Sequence, residues 1–280
     1  MTPITAALKR RIKQLLCRTL WKFSVDDLVK HLKKQGLGTG DTLIVHASWR
    51  PDSGFNGNPA EMIRALKQVI GPEGLLVMTS MPYQNESSRA FLERGGTLNV
   101  RRSPSQMGLL SEVFRRNKET LRSLSPTHPL LAWGAGSENF IAGHDLALSP
   151  FGPKSPFQKL LDLDAKVLCI DAPFATITFS HFVEDRIAPL LPFPLYEPQI
   201  FTGRVIDHSS EERELSVQVL SAQANRLRRD ARYLQALQHA QAIEASTLGN
   251  CRLLLLSCRQ MVAVAETLYA QGQSFFETQE

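Results

Sequence analysis

The stretch KVLCIDAPFATITFSHFVED, residues 166–185, carries the strongest signals for both the fold and the chemistry of this chain. It begins with an apolar run, 167–170, of the kind found in strands that are buried on both faces of a sheet. A loop containing proline follows, and then Thr178, His181 and Glu184 recur at steps of three. On a helix, side chains three apart lie on adjacent turns. The pattern therefore predicts a strand and loop that place a base between a hydroxyl and a carboxylate.

Strand and helix signals alternate on the N-terminal side of this stretch. TLIVHAS, 42–48, and LLVMTS, 75–80, are predicted strands that end in small polar residues. AEMIRALKQVI, 60–70, is an amphipathic helix between them, and residues 4–34 are also predicted to be helical, with Ser24 as a cap near the middle. The strand–helix–strand order predicts an α/β fold with layers of helices on a sheet.

The remaining segments are harder to interpret. The stretch 81–106 has no convincing period, and a loop of this length in a compact domain is usually functional. SQMGLLSEVFRRN, 105–117, is a predicted helix with Ser105 as its cap. We expect an N-terminal helical segment, 1–35, followed by one domain, 36–280. Its divergent portion, 186–280, is predicted to be rich in helix, with CRLLLL as a candidate last strand.

Composition places the chain among ordinary soluble globular proteins. Of its 280 residues, 43% are hydrophobic and 21% are charged, and the net charge is +5. Much of the positive charge lies in KRRIKQ, 9–14, and RLRR, 226–229, and the second run has no aromatic platform beside it, so a solvated helix face is favoured over nucleic-acid binding. The four cysteines form no CxxC pair, which disfavours a metal site and favours reduced thiols. No signal peptide or membrane span is predicted, and we expect a cytoplasmic protein.

Several separated pieces of the chain resemble one enzyme family. They are DTLIVHAS at 41–48, SQMGLLSEVFRRN at 105–117, RSLSPTHPLLAWG at 122–134, and SPFGPKSPFQKLLDLDAKVLCI at 149–170, which leads into TITFSHFVED. In this order they resemble the aminoglycoside 3-N-acetyltransferases, also called the antibiotic N-acetyltransferases. The resemblance covers roughly residues 36–190 and is carried most specifically by the MG-x-L-x-E-x-FR helix, the RS-x-x-PTHP loop and the T-x-x-H-x-x-E segment.

This resemblance implies both a fold and a reaction. The fold is an α/β/α sandwich that differs from that of the commoner GNAT acetyltransferases. The reaction is direct transfer of an acetyl group from acetyl-CoA to a substrate amine, without a metal. By similarity His181 is the catalytic base, Glu184 is its carboxylate partner and Thr178 lies nearby.

The resemblance also implies which residues line the coenzyme A site. They belong to the stretches His46–Ser48, Ser103–Gly108 and Arg122–His128, and the candidates are His46, Ala47, Ser48, Ser103, Ser105, Met107, Arg122, Ser123 and His128. Arginine matches phosphate in a bidentate way, so Arg122, with Arg101 and Arg102, is expected to meet the phosphate-rich end of coenzyme A.

The implied chemistry needs these residue types. A sugar amine is mostly protonated at neutral pH, so a base must take its proton, and histidine, with an ordinary pKa of about 6.5, suits this task. A carboxylate on the other ring nitrogen fixes the tautomer, and either Glu184 or Asp185 could reach it. The oxyanion needs a donor, for which Thr178, Thr176 and a backbone N–H of the loop are candidates.

One departure from the family pattern concerns the acceptor. Members that modify aminoglycosides commonly place an acidic residue a few positions before the catalytic histidine, where this chain has Ala175. The expected acceptor is therefore either an aminoglycoside or an amino sugar used in polysaccharide or natural-product assembly. A non-catalytic protein that binds coenzyme A is a further alternative.

Overall fold

The computed structural model describes residues 8, 11–13, 15–17 and 19–277. The helices are α1 (Val25–Lys34), α2 (Pro59–Ile70), α3 (Ser88–Glu93), α4 (Leu109–Arg115), α5 (Ser137–Ile141), α6 (Pro156–Asp162), α7 (Phe179–Ile187), α8 (Ala222–Leu227), α9 (Asp230–His239) and α10 (Cys258–Ala270). The strands are β1 (Thr42–Ala47), β2 (Leu75–Thr79), β3 (Thr97–Asn99), β4 (Leu121–Arg122), β5 (Leu130–Gly134), β6 (Lys166–Ile170), β7 (Phe201–Ile206), β8 (Glu212–Val217), β9 (Ile243–Leu248) and β10 (Cys251–Ser257).

The main sheet has seven strands in the order β4-β5-β2-β1-β6-β10-β9. Its three central strands, β2, β1 and β6, run parallel to one another, while the strands on either side pair antiparallel. A second sheet joins β3, β7 and β8. The strands predicted at 42–48, 75–80 and 166–170 are therefore confirmed as the centre of the sheet.

Helices cover both faces of the main sheet. Along β1, Ile44 packs into one apolar core, while Leu43 and Val45 pack into another. The first core contains side chains of α6, α7, α9 and α10, and the second contains side chains of α1, α2 and α4. Successive residues of a strand face opposite sides, so continuous apolar runs are what a sheet buried on both faces requires. The predicted α/β/α sandwich is confirmed.

Two of the predicted helices begin with reciprocal capping, and the predicted Ser24 cap is confirmed. In α1 the Ser24 side chain accepts the Asp27 N–H, and the Asp27 carboxylate accepts the Ser24 N–H. Asn58 and Glu61 form the same reciprocal arrangement at the start of α2. The predicted helix from residue 4 falls partly on residues outside those described, and the separation of 1–35 from the rest stays a prediction.

Three segments differ in detail from expectation. The stretch 81–106 contains α3 and β3. The prediction that Ser105 caps α4 is wrong, because α4 begins at Leu109 with Gly108 at its N-cap. The portion 186–280 has a β7–β8 hairpin, and β10, which contains the predicted CRLLLL strand, joins β6.

The loop after β6 brings α7 to the edge where β1 and β6 end. Asp171 adopts a positive φ of 52°. Its N–H donates to the carbonyl of Arg252 in β10, and its carboxylate accepts the N–H of Arg252. A short 3₁₀ turn, Phe174–Thr176, then leads into α7. In open α/β sheets this carboxyl edge is where ligands bind. No helix within the described ranges is both long and apolar enough to cross a membrane.

Candidate active site

The site is built around His181, in the first turn of α7. Its Nδ1 lies 3.0 Å from Oε2 of Glu184, one turn further along the same helix. The Glu184 side chain is 1% exposed, whereas that of His181 is 25% exposed. An ionised carboxylate can only accept, so Nδ1 is the donor in this contact, and an imidazole with a single proton at Nδ1 keeps a lone pair on Nε2. The predicted helical spacing of base and carboxylate is thus what the structure shows.

A cation, the guanidinium of Arg228, also binds the carboxylate of Glu184. Arg228, which follows α8, donates from Nε to Oε1 and from Nη2 to Oε2, the latter at 2.7 Å. Burial by itself would raise the pKa of Glu184, but His181 and the ion pair with Arg228 outweigh burial and the pKa is lowered. Glu184 is therefore a carboxylate at neutral pH despite its position in the interior.

The other candidate carboxylate, Asp185, is engaged elsewhere. Its Oδ1 accepts hydrogen bonds from the hydroxyls of Tyr196 and Ser149. Burial, and then the charge of Asp185, raise the pKa of Tyr196, so that hydroxyl stays protonated and remains a donor. Of the two acids that the sequence left open, Glu184 is the one in contact with the imidazole.

Two threonines precede the helix, and their hydroxyls differ. Thr178 is the N-cap residue of α7, yet its side chain makes no capping hydrogen bond. Thr176 instead donates to the carbonyl of Pro173 at 2.7 Å. Thr178 and His181 border the same cleft, so the Thr178 hydroxyl is the better placed of the two to meet a ligand.

This cleft has a volume of about 310 Å³. Besides Thr178 and His181, its walls include Tyr83, Met107 and His128. Polar neutral side chains complete much of its lining, namely those of Gln84, Asn85, Ser87, Ser88 and Asn225.

Aromatic contacts support the imidazole. The ring of Phe151 makes tilted contacts with those of His181 and His128, with centroid distances of 5.2 Å and 4.6 Å. His128 is buried, and its Nδ1 lies 3.0 Å from the hydroxyl of Thr127. Burial, together with the neighbouring His181, lowers the pKa of His128 well below its usual range. His128 is therefore a neutral wall of the cleft.

The residues predicted at the end of β1 have mixed surroundings. His46 is buried, its Nε2 has no hydrogen-bond partner among the described residues, and burial lowers its pKa to about 4. Ala47 is half-buried, and Ser48 is exposed, with its N–H donating to the carbonyl of Ile170. A Cβ on Gly108 would lie 3.6 Å from the Ala47 carbonyl, so the strand end and the loop before α4 adjoin.

Most of the other predicted coenzyme A residues hold loops in place. The Ser103 hydroxyl accepts the Asn99 N–H, and that of Ser105 lies 2.7 Å from the hydroxyl of Ser111. Ser123 is fully buried, and its hydroxyl accepts the Leu130 N–H. Of the residues carried over by resemblance, Met107 and His128 reach the cleft with Thr178 and His181, whereas these serines do not line it.

Arg122 differs most from its expected role. It is 2% exposed, and its guanidinium donates to the carbonyl oxygens of Ser80 and Ser103. Burial, and then the charge of Arg115, lower the pKa of Arg122 to about 9. Its surroundings favour a role in tying two loops together and disfavour contact with phosphate. The side chains of Arg101 and Arg102 are exposed.

Sequence reasoning missed the residues that complete the site from outside the matched motifs. Arg228 lies 44 positions beyond Glu184, and Asn225 lines the cleft from the same part of the chain. Arg228 falls within RLRR, which was predicted to be a solvated face. No local spacing marks one of its arginines as buried, so no signal in a single sequence could have found it.

Two other observations bear on the location of the chemistry. A larger groove of about 960 Å³ lies between α9 and α10, but it shares no lining residue with the cleft and has no carboxylate. Among residues 8, 11–13, 15–17 and 19–277, no three His, Cys, Asp or Glu side chains are grouped so as to hold a metal ion. The smaller cleft at His181 therefore remains the candidate active site.

Comparison with known proteins identifies a family. A sequence model described as aminoglycoside 3-N-acetyltransferase matches residues 44–270. The SPbeta prophage-derived aminoglycoside N(3')-acetyltransferase-like protein YokD of Bacillus subtilis (strain 168) is 25% identical over 278 residues, covering 94% of this chain and 98% of YokD. Aminoglycoside N(3)-acetyltransferase VIII of Streptomyces fradiae is 27% identical over 205 residues, covering 68% and 71% of the two chains.

Solved structures agree with this assignment at the level of the fold. The structure of AAC-IIIb in a binary complex with CoASH superposes with a TM-score of 0.72 at 22% identity, covering 92% of this chain and 99% of that one. The shared fold is that of the antibiotic N-acetyltransferases and not that of the GNAT enzymes. Because the family model matches most of its length, this chain belongs to the aminoglycoside 3-N-acetyltransferase family, a class of acyltransferases.

Proposed function

We propose that this protein transfers the acetyl group of acetyl-CoA to a primary amine of a sugar-based acceptor, with His181 as the general base. One observation carries the proposal: Nδ1 of His181 is held by buried Glu184, while the ring borders a cleft. This arrangement leaves Nε2 free to take a proton from a bound amine.

The residues of the site divide the reaction between them. His181 accepts the amine proton as nitrogen attacks the thioester carbonyl that acetyl-CoA supplies, and general-base assistance of this kind is worth about 10²–10⁴ in rate. When the tetrahedral intermediate collapses, the C–S bond breaks and the imidazolium returns the proton to sulfur, so that coenzyme A leaves as the thiol. Glu184 holds the ring and stabilises the imidazolium. Thr178, whose hydroxyl is not used as a cap, donates to the developing oxyanion.

The donor side of the cleft fits a thioester. Met107 and His128 give it an apolar and uncharged wall, and the loop 103–108 adjoins the end of β1. We place the pantetheine arm along this wall. Arg101 and Arg102 are exposed cations close by in the chain, and we propose that they meet the phosphates in place of Arg122.

The low acid content of the cleft favours, as a second candidate, an acceptor with few positive charges. Glu86 is the one carboxylate among the described lining residues, and Arg94 binds both of its oxygens, at 2.6 Å and 2.9 Å. An aminoglycoside carries several protonated amines, each of which needs an acceptor. A nucleotide-linked or otherwise conjugated amino sugar with a single amine fits a cleft of neutral amides and hydroxyls better.

A thiol-release assay tests the proposal. Acetyl-CoA is offered with gentamicin-like aminoglycosides and with nucleotide-linked amino sugars, and His181→Ala is compared with His239→Ala, which alters an exposed histidine on α9. We expect turnover to fall about 10²–10⁴-fold in the first variant and to be unchanged in the second. Unaltered turnover by His181→Ala contradicts the proposal. If the protein binds coenzyme A but releases no thiol from acetyl-CoA with any acceptor, the non-catalytic alternative is favoured.

We also propose the cytoplasm as the location. The cysteines at 17, 169, 251 and 258 are all unpaired and buried. Free thiols of this kind are typical of reducing compartments.

A further inference from the structure

Arg228 enters the site from a portion of the chain that lies beyond the motifs quoted for the resemblance but within the residues 44–270 that the family model matches. It follows the last residue of α8 and is separated from Glu184 by 44 positions. Its side chain is 13% exposed, so the ion pair with Glu184 is largely removed from water. A buried pair of this kind is costly unless its remaining donors and acceptors are also satisfied.

Those remaining groups are satisfied. The two bonds from Nε and Nη2 engage both oxygens of Glu184, and Nη1 donates to Oδ1 of Asn225 at 2.9 Å. Two parallel bonds to a carboxylate prevent its rotation about the last side-chain bond, which a single bond from His181 would allow. The plane of the Glu184 carboxylate, and hence the direction in which Oε2 faces Nδ1, is therefore set by Arg228.

The backbone around Arg228 is fixed as well. Its N–H donates to the carbonyl of Ala224, and it forms an antiparallel bridge with Phe276. The carbonyl of Leu227 accepts the N–H of Glu277. The guanidinium is thus presented from a turn that is tied to the C-terminal segment.

We propose that Arg228 is a positioning residue for the acetyl transfer: its guanidinium holds Glu184 ionised and oriented, so that Glu184 keeps His181 in the Nδ1–H tautomer. This inference rests on the proposed function of His181 as the base. Arg228 acts through Glu184 and touches neither donor nor acceptor. A purely structural arginine would stabilise the fold without affecting the imidazole tautomer.

The first test reads the tautomer without turnover. Long-range proton–nitrogen NMR spectra of the imidazoles are recorded for the wild type, Arg228→Gln and Arg228→Lys, with the His181 signals assigned by their loss in His181→Ala. Arg226→Gln, on the exposed face of α8, is the matched control. We expect the Nδ1–H tautomer in the wild type and control, and a mixture of tautomers in folded Arg228→Gln. An unchanged tautomer in Arg228→Gln overturns the proposal.

The second test uses a double-mutant cycle in the thiol-release assay. Arg228→Gln is expected to lower kcat about 10- to 100-fold with KM nearly unchanged, less than the roughly 10⁴-fold loss seen when an orienting carboxylate is removed from a serine-protease triad. Arg228→Lys keeps the positive charge but cannot form two parallel hydrogen bonds to the carboxylate, and it should retain more activity than Arg228→Gln. When Arg228→Gln is added to Glu184→Gln, kcat should fall by less than about a further 3-fold, because the effects of residues that act through one another are not additive.

The outcomes separate the two proposals. If His181→Ala keeps its turnover, the proposed function fails whatever Arg228 does. If His181→Ala loses turnover while Arg228→Gln keeps wild-type kcat, or if the losses of Arg228 and Glu184 multiply, the positioning role alone fails. Should Arg228→Gln not fold, Arg228→Lys and the double variant, which leaves no unpaired buried charge, supply the same comparisons.

Discussion

Two arginines that are largely removed from water, Arg122 on β4 and Arg228 after α8, occupy opposite electrostatic surroundings. Arg122 donates to carbonyl oxygens, and burial, then the charge of Arg115, lower its pKa to about 9. For Arg228 burial also lowers the pKa, but the hydrogen bonds and charge of Glu184 outweigh burial and raise it. One arginine therefore joins loops, and the other compensates a charge in the candidate active site.

The difference shows that the partners of a cation decide its role more than its residue type does. Arg122 lies in the RS-x-x-PTHP stretch that carries the family resemblance, yet it is 2% exposed and both of its terminal nitrogens donate to carbonyl oxygens, those of Ser80 and Ser103. Arg228 lies in a run of basic residues without any motif, yet it contacts the carboxylate beside the proposed base. The Nε of Arg122 has no partner among the described residues, but it too is buried, so burial and not a shortage of donors is what disfavours contact with a phosphate.

The largest expected effect comes from removing the structural arginine. Arg122→Met should leave the carbonyl oxygens of Ser80, which is buried, and Ser103, which is partly buried, without this donor, and a buried unsatisfied group costs about 1–3 kcal/mol. We therefore expect the free energy of unfolding, measured with urea, to fall by about 2–5 kcal/mol. Coenzyme A affinity of the folded variant, measured by calorimetry, should change less than about 3-fold, an energy change of under 1 kcal/mol.

Arg64→Met is the matched control, because Arg64 is exposed on α2 and pairs only at the surface with Glu61. Its free energy of unfolding should stay within about 0.5 kcal/mol of the wild type. If Arg122→Met is as stable as the wild type and binds coenzyme A much more weakly, Arg122 serves the ligand and is not a structural arginine.

The fold was predictable where burial leaves a continuous apolar pattern. Strands β1, β2 and β6 are covered on both faces, so their sequences are apolar runs that stand out from the chain. In β7 buried and exposed residues alternate over only six positions, after a stretch rich in proline. That alternation is short enough to be lost among loop signals.

The candidate site was predictable only where its members share one helix. His181 and Glu184 are three residues apart, so helical geometry alone brings them together. The contact between Glu184 and Arg228 depends on how the C-terminal portion packs, which no spacing encodes. Ser105 shows the converse, since it satisfies the composition rule for a cap while the helix begins later, after Gly108.

A smaller effect on kcat is expected at the two threonines before α7. As with the two arginines, one side chain is already hydrogen-bonded within the protein and the other is not. Thr178→Val should lower kcat about 10- to 100-fold, below the 10²–10³-fold typical of losing an oxyanion-hole donor, because a backbone N–H can share this role. Thr176→Val should leave kcat unchanged, since that hydroxyl donates to the carbonyl of Pro173. Thiol-release kinetics at saturating acetyl-CoA measure both.

Thr178→Ser provides the control for this pair, because it restores the hydroxyl and should recover most of the wild-type kcat. Equal losses in the Thr176 and Thr178 variants would mean that hydroxyl engagement does not predict which side chain serves the reaction. A loss confined to Thr176→Val would reverse the assignment.

The smallest effect concerns acid stability, in which the two arginine regions should again differ. Beside Arg122, the Nδ1 of His144 lies 2.8 Å from the hydroxyl of Ser123. Burial lowers the pKa of His144 to about 4, against the opposing effects of the Pro150 carbonyl and Asp145. The unfolded chain, with an ordinary pKa of about 6.5, then binds this proton first, so stability is lost as the pH falls from about 6.5 towards 4.

Glu184 behaves differently because its pKa is lowered from the ordinary carboxyl value of 4.5. Its contribution to stability is full above that value and is lost only as the pH falls further. The wild-type free energy of unfolding should fall between pH 7 and pH 5.5. In His144→Gln this fall should be smaller by about 1 kcal/mol, while in Glu184→Gln it should be the same as in the wild type. Urea titrations at these two pH values measure both, and a full wild-type loss in His144→Gln would show that acid sensitivity does not originate beside Arg122.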